Sequence, residues 1–511
     1  MGKNQGDHSR PLLRRLILAI LSSSCLCEDC KIERKHIHLA VGPDPSTSMT
    51  ISFASTSSCC DPYSSYDDCD FSPIGSVLIG TSPHDMNQVV TESHSPKQYS
   101  AQYVDEAWYT SPFLHHITVN GLKPSTTYFY HCIVMDSSSP STDVNSEDDD
   151  KGERSTNGLR HHAFLKERKI FSFKTAPLPG NFPKRPVTLA FVADIGRTNA
   201  AATNFAHMTA HNSDIDVLMF AGDLAYSRLR HHRWDTFFDT MDNYDMFSEL
   251  PLMVAPGNHD VDRHPMTGAM YVAYENRFLM PQIQPVESKL DTTMNVTFMD
   301  YDIPYPIDYD YGNGYYAFPY GPSLNIVLCS YSSIDPGSHQ YVWLETELAS
   351  IDRTLTPWVT VTMHSPHYNT FFDHHTDPQN IAIKTHLEPL LVEYSVNFVF
   401  SGHVHGYQRT WPVAYDILHP KGPVYIIGGN GGCSVTKEFL SKVPEDWVAS
   451  RDGTHYGYGT LSFLNHTHAH WKRISVLYEE DSYNTVAGME DVILPPKPKD
   501  ATHIWNQFFL E

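Results

Sequence analysis

Positive charge is scarce in this sequence of 511 residues. It contains 36 Lys and Arg against 59 Asp and Glu, which gives a formal net charge of −23. A surface with this balance repels nucleic acid and anionic membranes unless a bound cation reverses the local field. We therefore expect no nucleic-acid partner and no stable membrane insertion.

Long hydrophobic runs and phosphate-binding loops are also missing. The apolar run LILAIL at residues 16–21 is too short to cross a bilayer, which takes about 20 apolar residues. The glycine-rich segment GGNGG at residues 428–432 lacks the Lys and the Ser or Thr of a phosphate-binding loop. These absences argue against a spanning helix at the N-terminus and against nucleotide chemistry on such a loop.

The N-terminus has the pattern of a secretory signal. Three arginines precede the apolar run, and the small residues of SSSCLC follow it. We predict a signal peptide over residues 1–27 and a secreted or vacuolar protein. A disordered tail or a short membrane anchor is the alternative for this segment. The sequons that begin at Asn295 and Asn465 are compatible with glycosylation on a secretory route.

Cysteine is sparse but unevenly placed. Nine cysteines occur in the whole chain, and several of them cluster in its first part. This clustering predicts disulfides in the first domain of an exported protein, with the pairing left open, among Cys30, Cys59, Cys60, Cys69 and Cys132. Cys329 lies in an apolar run, and we expect a core thiol there rather than a nucleophile.

Two domains are expected from the length and from a change of pattern along the chain. Residues 35–176 contain short alternating segments between turn residues, which predict a β-sandwich of the fibronectin-III type. Within it, residues 136–158 are polar and lack aromatics, so we expect a disordered insertion. After a proline-rich linker, buried-type strands and helical stretches predict an α/β domain over residues 187–475. Residues 476–511 are assigned to a C-terminal extension.

Polar side chains follow the buried strands of the second domain at the points where those strands end. In an α/β sheet, these ends are where ligands bind. Carboxylate, imidazole, phenol and amide groups are ligands for iron, manganese or zinc, and one shared carboxylate would give each of two ions four protein ligands. The sequence therefore predicts a two-metal site built from Asp194, Asp223, Tyr226, Asn258, His364, His403 and His405.

Five blocks in chain order, DIG, GDLAY, GNHD, HSPHY and GHVHGYQR, resemble the metal-binding blocks of the calcineurin-like metallophosphoesterases. The tyrosine three residues after Asp223 narrows the resemblance to the purple acid phosphatases. Further segments, among them QYVWLETEL at 340–348 and YGYGTLSFLNHTHAHW at 456–471, are similar to the plant-type, two-domain branch of that family. The resemblance implies an α/β protein in which the fibronectin-III-like sandwich precedes a four-layer αββα catalytic domain.

The resemblance also implies a role for each metal ligand. Asp194, Tyr226 and His405 should bind one ion, which is Fe(III) in the family, and charge transfer from the phenolate to iron would colour the protein purple. Asp223 should bridge this ion to a second one. The second ion, Zn, Mn or Fe in the divalent state, should be bound by the three remaining ligands.

Other side chains are expected to act on the substrate. The resemblance points to Asn258, His259 and Tyr368 as substrate-binding residues, and to His259 as a catalytic residue as well. The loop FFDHHTD carries two histidines, one of which should be the general acid. We prefer His375 for this role and place His374 almost level with it. A solvated loop histidine is the alternative for both.

The implied activity is that of a phosphoric monoester hydrolase. In such an acid phosphatase a metal-bound hydroxide attacks phosphorus in line and releases an alcohol and inorganic phosphate. A phosphodiesterase, nucleotide pyrophosphatase or phytase on the same metals is the nearest alternative. A non-enzymatic secreted surface protein is the distant one, and the complete ligand set argues against it. Small phosphorylated molecules are the expected substrates, and homodimerisation is left open.

Overall fold

The structure, a computed structural model, describes residues 32–57, 72–102, 108–136, 169–263, 268–281, 304–435, 438–479 and 482–494. The predicted signal peptide, residues 137–158 of the predicted insertion, Asn295 and the cysteines at positions 30, 59, 60 and 69 lie outside these ranges. Within them, no helix is both long enough and apolar enough to cross a membrane.

The first domain is a β-sandwich, as predicted. Its strands are β1 Ile32–Val41, β2 Met49–Ser57, β3 Pro73–Gly80, β4 Gln88–Thr91, β5 Ser100–Gln102, β6 Trp108–Thr110, β7 Phe113–Val119, β8 Thr127–Asp136 and β9 Phe171–Lys174. One sheet has the order β1-β2-β7 and the other β4-β3-β8-β9, while β5 and β6 pair separately. Met49, Ile51 and Phe53 of β2 are buried in one cluster with Tyr130 and Phe173 of the facing sheet, and this cluster holds the two sheets together.

Cys132 belongs to the core of the sandwich. The structure gives it as a free thiol that is 1% exposed, and burial raises its pKa to about 12. The expectation of a disulfide is therefore wrong for Cys132, because its side chain packs between the sheets among apolar neighbours. Cys329 is likewise free and fully buried, as expected of a core thiol.

The second domain is built on two large sheets. Its strands are β10 Val187–Val192, β11 Val217–Phe220, β12 Leu252–Val254, β13 Tyr316–Tyr320, β14 Ser323–Val327, β15 Trp358–Thr362, β16 Phe398–Ser401, β17 Tyr407–Thr410, β18 Val413–Ala414, β19 Ile417–Leu418, β20 Val424–Gly428, β21 Val448–Asp452, β22 Tyr456–Phe463, β23 Ala469–Glu479 and β24 Ser482–Leu494. A six-stranded sheet has the order β12-β11-β10-β22-β23-β24, and a seven-stranded sheet has the order β13-β14-β15-β16-β20-β17-β21. β10, β11 and β12 run parallel, as do β14, β15, β16 and β20. The carboxyl ends of each parallel set therefore lie at one edge of its sheet.

Helices cover the outer faces of the two sheets. They are α1 Asn199–Ala210, α2 His232–Met241, α3 Met246–Glu249, α4 Val272–Arg277, α5 His339–Ala349, α6 Pro378–Ala382 and α7 Glu388–Glu393, with a π-helical turn at Ile383–Leu387 between the last two. α1 contacts β22 and β23, and Leu344 of α5 and Leu391 of α7 pack with Ile326 of the seven-stranded sheet. Between the sheets, the rings of Phe191 and Phe400 stack with centroids 3.4 Å apart. This arrangement confirms the expected αββα domain.

The six-stranded sheet extends beyond residue 475, where the second domain was expected to end. β23 continues to Glu479, and β24 pairs antiparallel with it along its length. Residues 476–479 and 482–494 are therefore joined to the sheet of the second domain by their backbone hydrogen bonds, although the sequence assigned them to a C-terminal extension.

The two domains meet through a buried polar cluster. The guanidinium of Arg277, at the end of α4, donates to the Tyr99 hydroxyl at 3.0 Å and to the Asp235 carboxylate of α2 at 2.8 Å. The Tyr109 hydroxyl donates to the same carboxylate at 2.9 Å. Arg277 is 1% exposed, so its buried charge depends on partners from both domains. This dependence fixes the sandwich in one position on the catalytic domain.

His38 lies at the same interface and is buried in its neutral form. Its Nδ1 bonds the His36 carbonyl at 2.8 Å, and its ring packs against Phe238 and Phe278. Burial lowers its pKa to about 4. Since an unfolded chain protonates this imidazole near pH 6.5, only the unfolded state takes up the proton between about pH 6.5 and pH 4. The protein therefore loses stability as the pH falls through that window, by about 3 kcal/mol for this residue.

We predict that His38→Gln reduces the loss of stability in acid, because glutamine places an amide in the interface without a titrating group. The free energy of unfolding in urea should fall less between about pH 7.5 and pH 4.5 in the variant than in the wild type. His84→Gln replaces an exposed histidine of the same domain and should keep the wild-type difference. An unchanged difference in His38→Gln would show that this imidazole makes no contribution.

Candidate metal centre

The predicted metal ligands follow the ends of neighbouring parallel strands. Asp194 comes after β10, Asp223 after β11 and Asn258 after β12 in one sheet. His364 comes after β15 and His403 after β16 in the other sheet. Because the two sheets pack face to face, their strand ends meet, and the loops that carry these side chains come together.

Four of the predicted ligands have left-handed backbone conformations. The φ angle is 56° at Asp194, 54° at Asp223, 47° at Tyr226 and 67° at His403. A residue with a Cβ adopts this conformation at a cost of about 1 kcal/mol or more, and it does so where surrounding contacts hold it. Strain of this kind is concentrated at functional sites, and here it occurs where each strand turns into its loop.

Two glycines allow the loops to approach the buried carboxylates. A Cβ on Gly402 would lie 2.4 Å from Oδ2 of Asp194, and a Cβ on Gly257 would lie 2.2 Å from Oδ1 of Asp223. Any side chain at either position would displace a carboxylate oxygen. The glycine that precedes His403 in the sequence is therefore explained by close packing around Asp194.

Asp194, Tyr226 and His405 form the first group of donor atoms. The Tyr226 hydroxyl lies 3.0 Å from Asp194 Oδ1 and 2.9 Å from His405 Nε2, and those two atoms are 3.4 Å apart. Asp194 is fully buried and Tyr226 is 5% exposed. Two oxygens and a nitrogen at these separations can share one cation.

Asp223, Asn258 and His364 form the second group. His364 Nε2 lies 3.1 Å from Asn258 Oδ1 and 3.4 Å from Asp223 Oδ1. His364 Nδ1 donates to the Ala221 carbonyl at 2.7 Å, which leaves Nε2 as the nitrogen for a metal. The Tyr331 hydroxyl donates to Asn258 Oδ1 at 3.1 Å. Sequence reasoning missed this buried tyrosine, because it lies outside the five blocks.

The two groups adjoin each other. Donor atoms of Asp194, Asp223 and His364 all lie within 4.8 Å of one another, so Asp194 of the first group is next to Asp223 and His364 of the second. The backbone N–H of His403 donates to Asp194 Oδ2 at 2.7 Å, and its ring centroid is 5.1 Å from that of His364. The seven side chains singled out in the sequence therefore converge on one buried region.

Asp377 is a member of this region that the sequence did not reveal. Its Oδ2 lies 3.0 Å from His374 Nδ1 and 2.9 Å from His403 Nε2. These two bonds hold the pKa of Asp377 well below its usual range, so the carboxylate is ionised. Burial lowers the pKa of His403 to about 4 despite the bond to Asp377, so the ring is neutral. With Nε2 bound to Asp377, Nδ1 of His403 is the nitrogen left for a metal.

The histidine pair of the neighbouring loop is divided between two environments. The ring of His374 lies 3.8 Å from that of His403, centroid to centroid, and its Nδ1 bonds Asp377. His375 is exposed, and its Nδ1 lies 2.5 Å from the Phe372 carbonyl. The structure thus brings His374 against His403 and Asp377, whereas the bond it gives His375 lies within its own loop. Which of the two histidines is the general acid stays a prediction. Spacing does not report which of two adjacent loop residues turns inward.

The remaining substrate-facing candidates also differ in position. The His259 ring stacks on Tyr226 with centroids 4.6 Å apart, and His259 Nε2 lies 3.8 Å from Asp223 Oδ2. Tyr368 is 2% exposed and donates its hydroxyl to Glu388. Its ring belongs to the core under the seven-stranded sheet. The structure therefore does not bring Tyr368 into the site, since its polar end is occupied inside the core.

The buried carboxylates of this region require a compensating cation. The ion-pair partners that the structure gives Asp194 and Asp223 are histidines. Although burial opposes protonation of His364, the two carboxylates raise its pKa to about 9. Burial and the same carboxylates raise the pKa of Tyr226 well above its usual value, so a phenolate forms only where a strong positive charge replaces the proton. Carboxylate, phenol, amide and imidazole donors together fit a pair of hard or borderline cations.

Three family models match the chain. The model of the calcineurin-like phosphoesterases matches residues 187–407. The model described as iron/zinc purple acid phosphatase-like protein C matches residues 422–485, and the purple acid phosphatase N-terminal domain matches residues 34–148. The first match contains every metal ligand proposed from the sequence.

Known proteins are similar over most of the chain. Purple acid phosphatase 1 of Ipomoea batatas is 30% identical over 441 residues, which cover 79% of each protein. Purple acid phosphatase 22 of Arabidopsis thaliana is 29% identical over 402 residues, which cover 77% of each. A solved purple acid phosphatase from yellow lupin (Lupinus luteus) seeds shares the fold, with a TM-score of 0.62 at 17% identity over 90% of this chain and 74% of that one. The chain belongs to the purple acid phosphatase family.

Proposed function

We propose that this protein is an acid phosphatase that hydrolyses small phosphate monoesters at a pair of metal ions. Family membership supports a binuclear metal centre and phosphoric monoester hydrolysis. The observation that carries the proposal is the convergence of two adjoining groups of donor atoms on one buried edge. The net charge of −23 favours small phosphorylated substrates over nucleic acid. A homodimer stays a prediction.

Each group of donor atoms holds one ion in this proposal. The first group, which contains Tyr226, holds Fe(III), because a phenolate and carboxylates offset the charge of a trivalent cation. The second group, together with His403, holds a divalent ion, Zn, Mn or Fe. Asp223 would be available to both ions, because its donor atom lies within 4.8 Å of those of Asp194 in the first group and His364 in the second.

The chain's own residues position the substrate and move its protons. When bound, the two ions would supply Lewis acidity. This offsets the charge of the phosphate and lowers the pKa of water, so that hydroxide is available as the nucleophile even in an acidic medium. Because Asn258 Oδ1 faces His364, its amide nitrogen remains to donate to a phosphate oxygen. His259 is partly exposed beside the ligands and is placed to donate to the same group. His374, held by Asp377, is the group placed to protonate the leaving alkoxide.

A secretory destination, secreted or vacuolar, completes the proposal. The charged and apolar N-terminal residues 1–27 support a cleaved signal. Asn465 of the second sequon is exposed in the turn between β22 and β23, where its side chain is accessible to glycosylation. The sandwich over residues 35–176 and the catalytic domain that begins at residue 187 are proposed to be exported together as one glycoprotein.

Asp223→Asn removes the negative charge of the shared ligand and should lower kcat/KM for p-nitrophenyl phosphate by at least about 100-fold. Initial rates at about pH 5.5, in protein loaded with iron and zinc, measure the effect. Asp245→Asn changes an exposed carboxylate that pairs with Lys169 and should leave the rate unchanged. Full activity in Asp223→Asn, or an inactive wild type after metal loading, rejects the proposal.

Substrate comparison separates the related activities on the same centre. We expect the loaded wild type to turn over p-nitrophenyl phosphate faster than bis-p-nitrophenyl phosphate, because a monoester leaves three phosphate oxygens for the ions and donors where a diester leaves two. ATP and phytate should also be slower, because a chain with a net charge of −23 repels these more highly charged anions. If kcat/KM for the diester, ATP or phytate exceeded that for p-nitrophenyl phosphate, the protein would be assigned as a phosphodiesterase, a nucleotide pyrophosphatase or a phytase, respectively.

Tyr226→Phe keeps the ring and removes the phenolate. Since the visible band of the proposed centre comes from charge transfer between this phenolate and Fe(III), the purified wild type should be coloured and the variant colourless. Iron analysis of the same samples separates loss of the ligand from loss of the metal. Tyr415→Phe changes a tyrosine that is 52% exposed and should keep the band. A band that survives in Tyr226→Phe at equal iron content would assign it to another ligand.

Asp377→Asn keeps the shape of the side chain and removes the charge that holds His403 and His374. We expect the affinity for the second metal to fall about 10- to 100-fold, because carboxylates behind metal-binding histidines fix the ring and strengthen its donor nitrogen. Metal retained after dialysis against a graded chelator measures this change. Asp416→Asn alters an exposed carboxylate paired with Lys384 and is the control. Equal metal retention in both variants would contradict the role of Asp377.

A further inference from the structure

A cavity of about 450 Å³ lies on the outer face of the six-stranded sheet, between the end of α1 and strands β10, β22 and β23. Its residue from β10 is Thr188, six positions before Asp194, so the cavity is about 20 Å from the metal centre along the strand. A volume of this size accommodates a small organic molecule. It is named here the basic groove, after its lining side chains Arg185, His207, His211, His470 and Lys472.

The lining of the basic groove differs in charge from the chain as a whole. Five lining residues are basic or imidazole side chains, whereas Asp214 is the one carboxylate among the lining residues that the structure describes. The whole sequence has 59 acidic residues against 36 basic ones. Arg185 pairs with Asp216, and the backbone partner of Lys472 on β24 is Asp491. The groove therefore gathers basic and imidazole side chains on an acidic protein, with the Asp214 carboxylate in its lining and the Asp216 carboxylate beside Arg185.

The alternation of β23 explains why these side chains share one side of the sheet. Trp471 packs inward against Phe400 of the other sheet, so its neighbours His470 and Lys472 face outward. Lys472 is the register partner of Thr460 on β22, whose side chain lines the same groove. Hydroxyl groups therefore stand beside the cationic groups, and the two together suit an oxyanion.

Two histidines of α1 form the opposite wall. His207 and His211 are one helical turn apart, with ring centroids separated by 4.5 Å. Nδ1 of His207 bonds the Tyr458 hydroxyl at 2.8 Å, and Nδ1 of His211 donates to the His207 carbonyl at 2.8 Å. Both rings therefore keep Nε2 for another partner.

The charges around His207 oppose its protonation. Burial lowers the pKa of His207, and the positive charges of His211 and Lys472 lower it further. An anion between these groups relieves the repulsion, whereas a metal cation bound to the two imidazoles would meet the Lys472 ammonium. The Tyr458 and Thr460 hydroxyls can donate to the oxygens of such an anion. The groove thus has the chemistry of an anion site.

We propose that the basic groove is a second, non-catalytic site for a small organic phosphate. The phosphate group matches the imidazolium, ammonium and hydroxyl donors, and the volume leaves room for the organic part. Arg185 and Lys472 supply permanent positive charge to the lining, and the Asp214 carboxylate opposes it. The site is remote from the metal centre, so it does not rest on the proposed catalytic function.

Calorimetric titration of the metal-loaded protein with phenylphosphonate tests this site, because the carbon–phosphorus bond of this probe resists hydrolysis. At about pH 6 we expect one equivalent in the groove in addition to any bound at the metal centre. His211→Gln and Lys472→Gln should each weaken the groove equivalent at least about 10-fold and leave kcat for p-nitrophenyl phosphate unchanged. Asp214→Asn should tighten it about threefold, because the opposing carboxylate is removed.

Each other outcome overturns the proposal. If no bound phenylphosphonate weakens in His211→Gln, the groove is not a binding site for it. If inorganic phosphate binds in the groove with the same affinity as phenylphosphonate, no organic part is recognised. Weaker anion binding in Asp214→Asn, with Zn²⁺ taken up by the two α1 histidines, would make it a cation site instead. Failure of the proposed catalytic function would give a different result. Phenylphosphonate binding at the metal centre would be lost, whereas binding in the groove, which His211→Gln weakens, would remain.

Discussion

The structure depends on how two buried carboxylates are neutralised. Asp194 and Asp223 are 0% and 1% exposed, and a buried negative charge without a partner is strongly destabilising. The side chains around them are imidazoles, a phenol and an amide, which are all able to share a cation. The loops at the strand ends therefore adopt the conformation that places groups able to bind a cation around these two carboxylates.

Hydrogen bonds to the backbone also connect the loops that carry these side chains. Asp260 accepts from the backbone N–H of Leu224 at 3.0 Å and from that of Gly257 at 3.2 Å, which ties the loop after β11 to the loop after β12. His403 N–H reaches across the two sheets to Asp194. These bonds maintain the left-handed backbone at the ligands, because each strained residue is fixed by contacts on more than one side.

The sandwich is bound to the catalytic domain by the same kind of compensation. Arg277 is buried at the interface, and it is neutralised by Asp235 and bonded to Tyr99 from the sandwich. Removing the sandwich would expose this charge to solvent and take away its Tyr99 partner, although the Asp235 carboxylate would remain beside it. The sandwich thus supports α2 and α4, the helices that flank the loops after β11 and β12, rather than contributing a ligand.

The amino-acid sequence by itself determined the fold class and the division into a sandwich and an α/β domain, and it singled out the seven candidate ligands. It did so because buried strands leave apolar runs, and because chemistry-bearing residues at the ends of parallel strands must meet at one edge. Only the tertiary structure placed His374 beside His403, added Asp377 and Tyr331 to the region, kept Tyr368 in the core and assembled the basic groove. These features depend on contacts between segments far apart in the chain or on the conformation of a loop. Neither produces a periodic pattern in the local sequence.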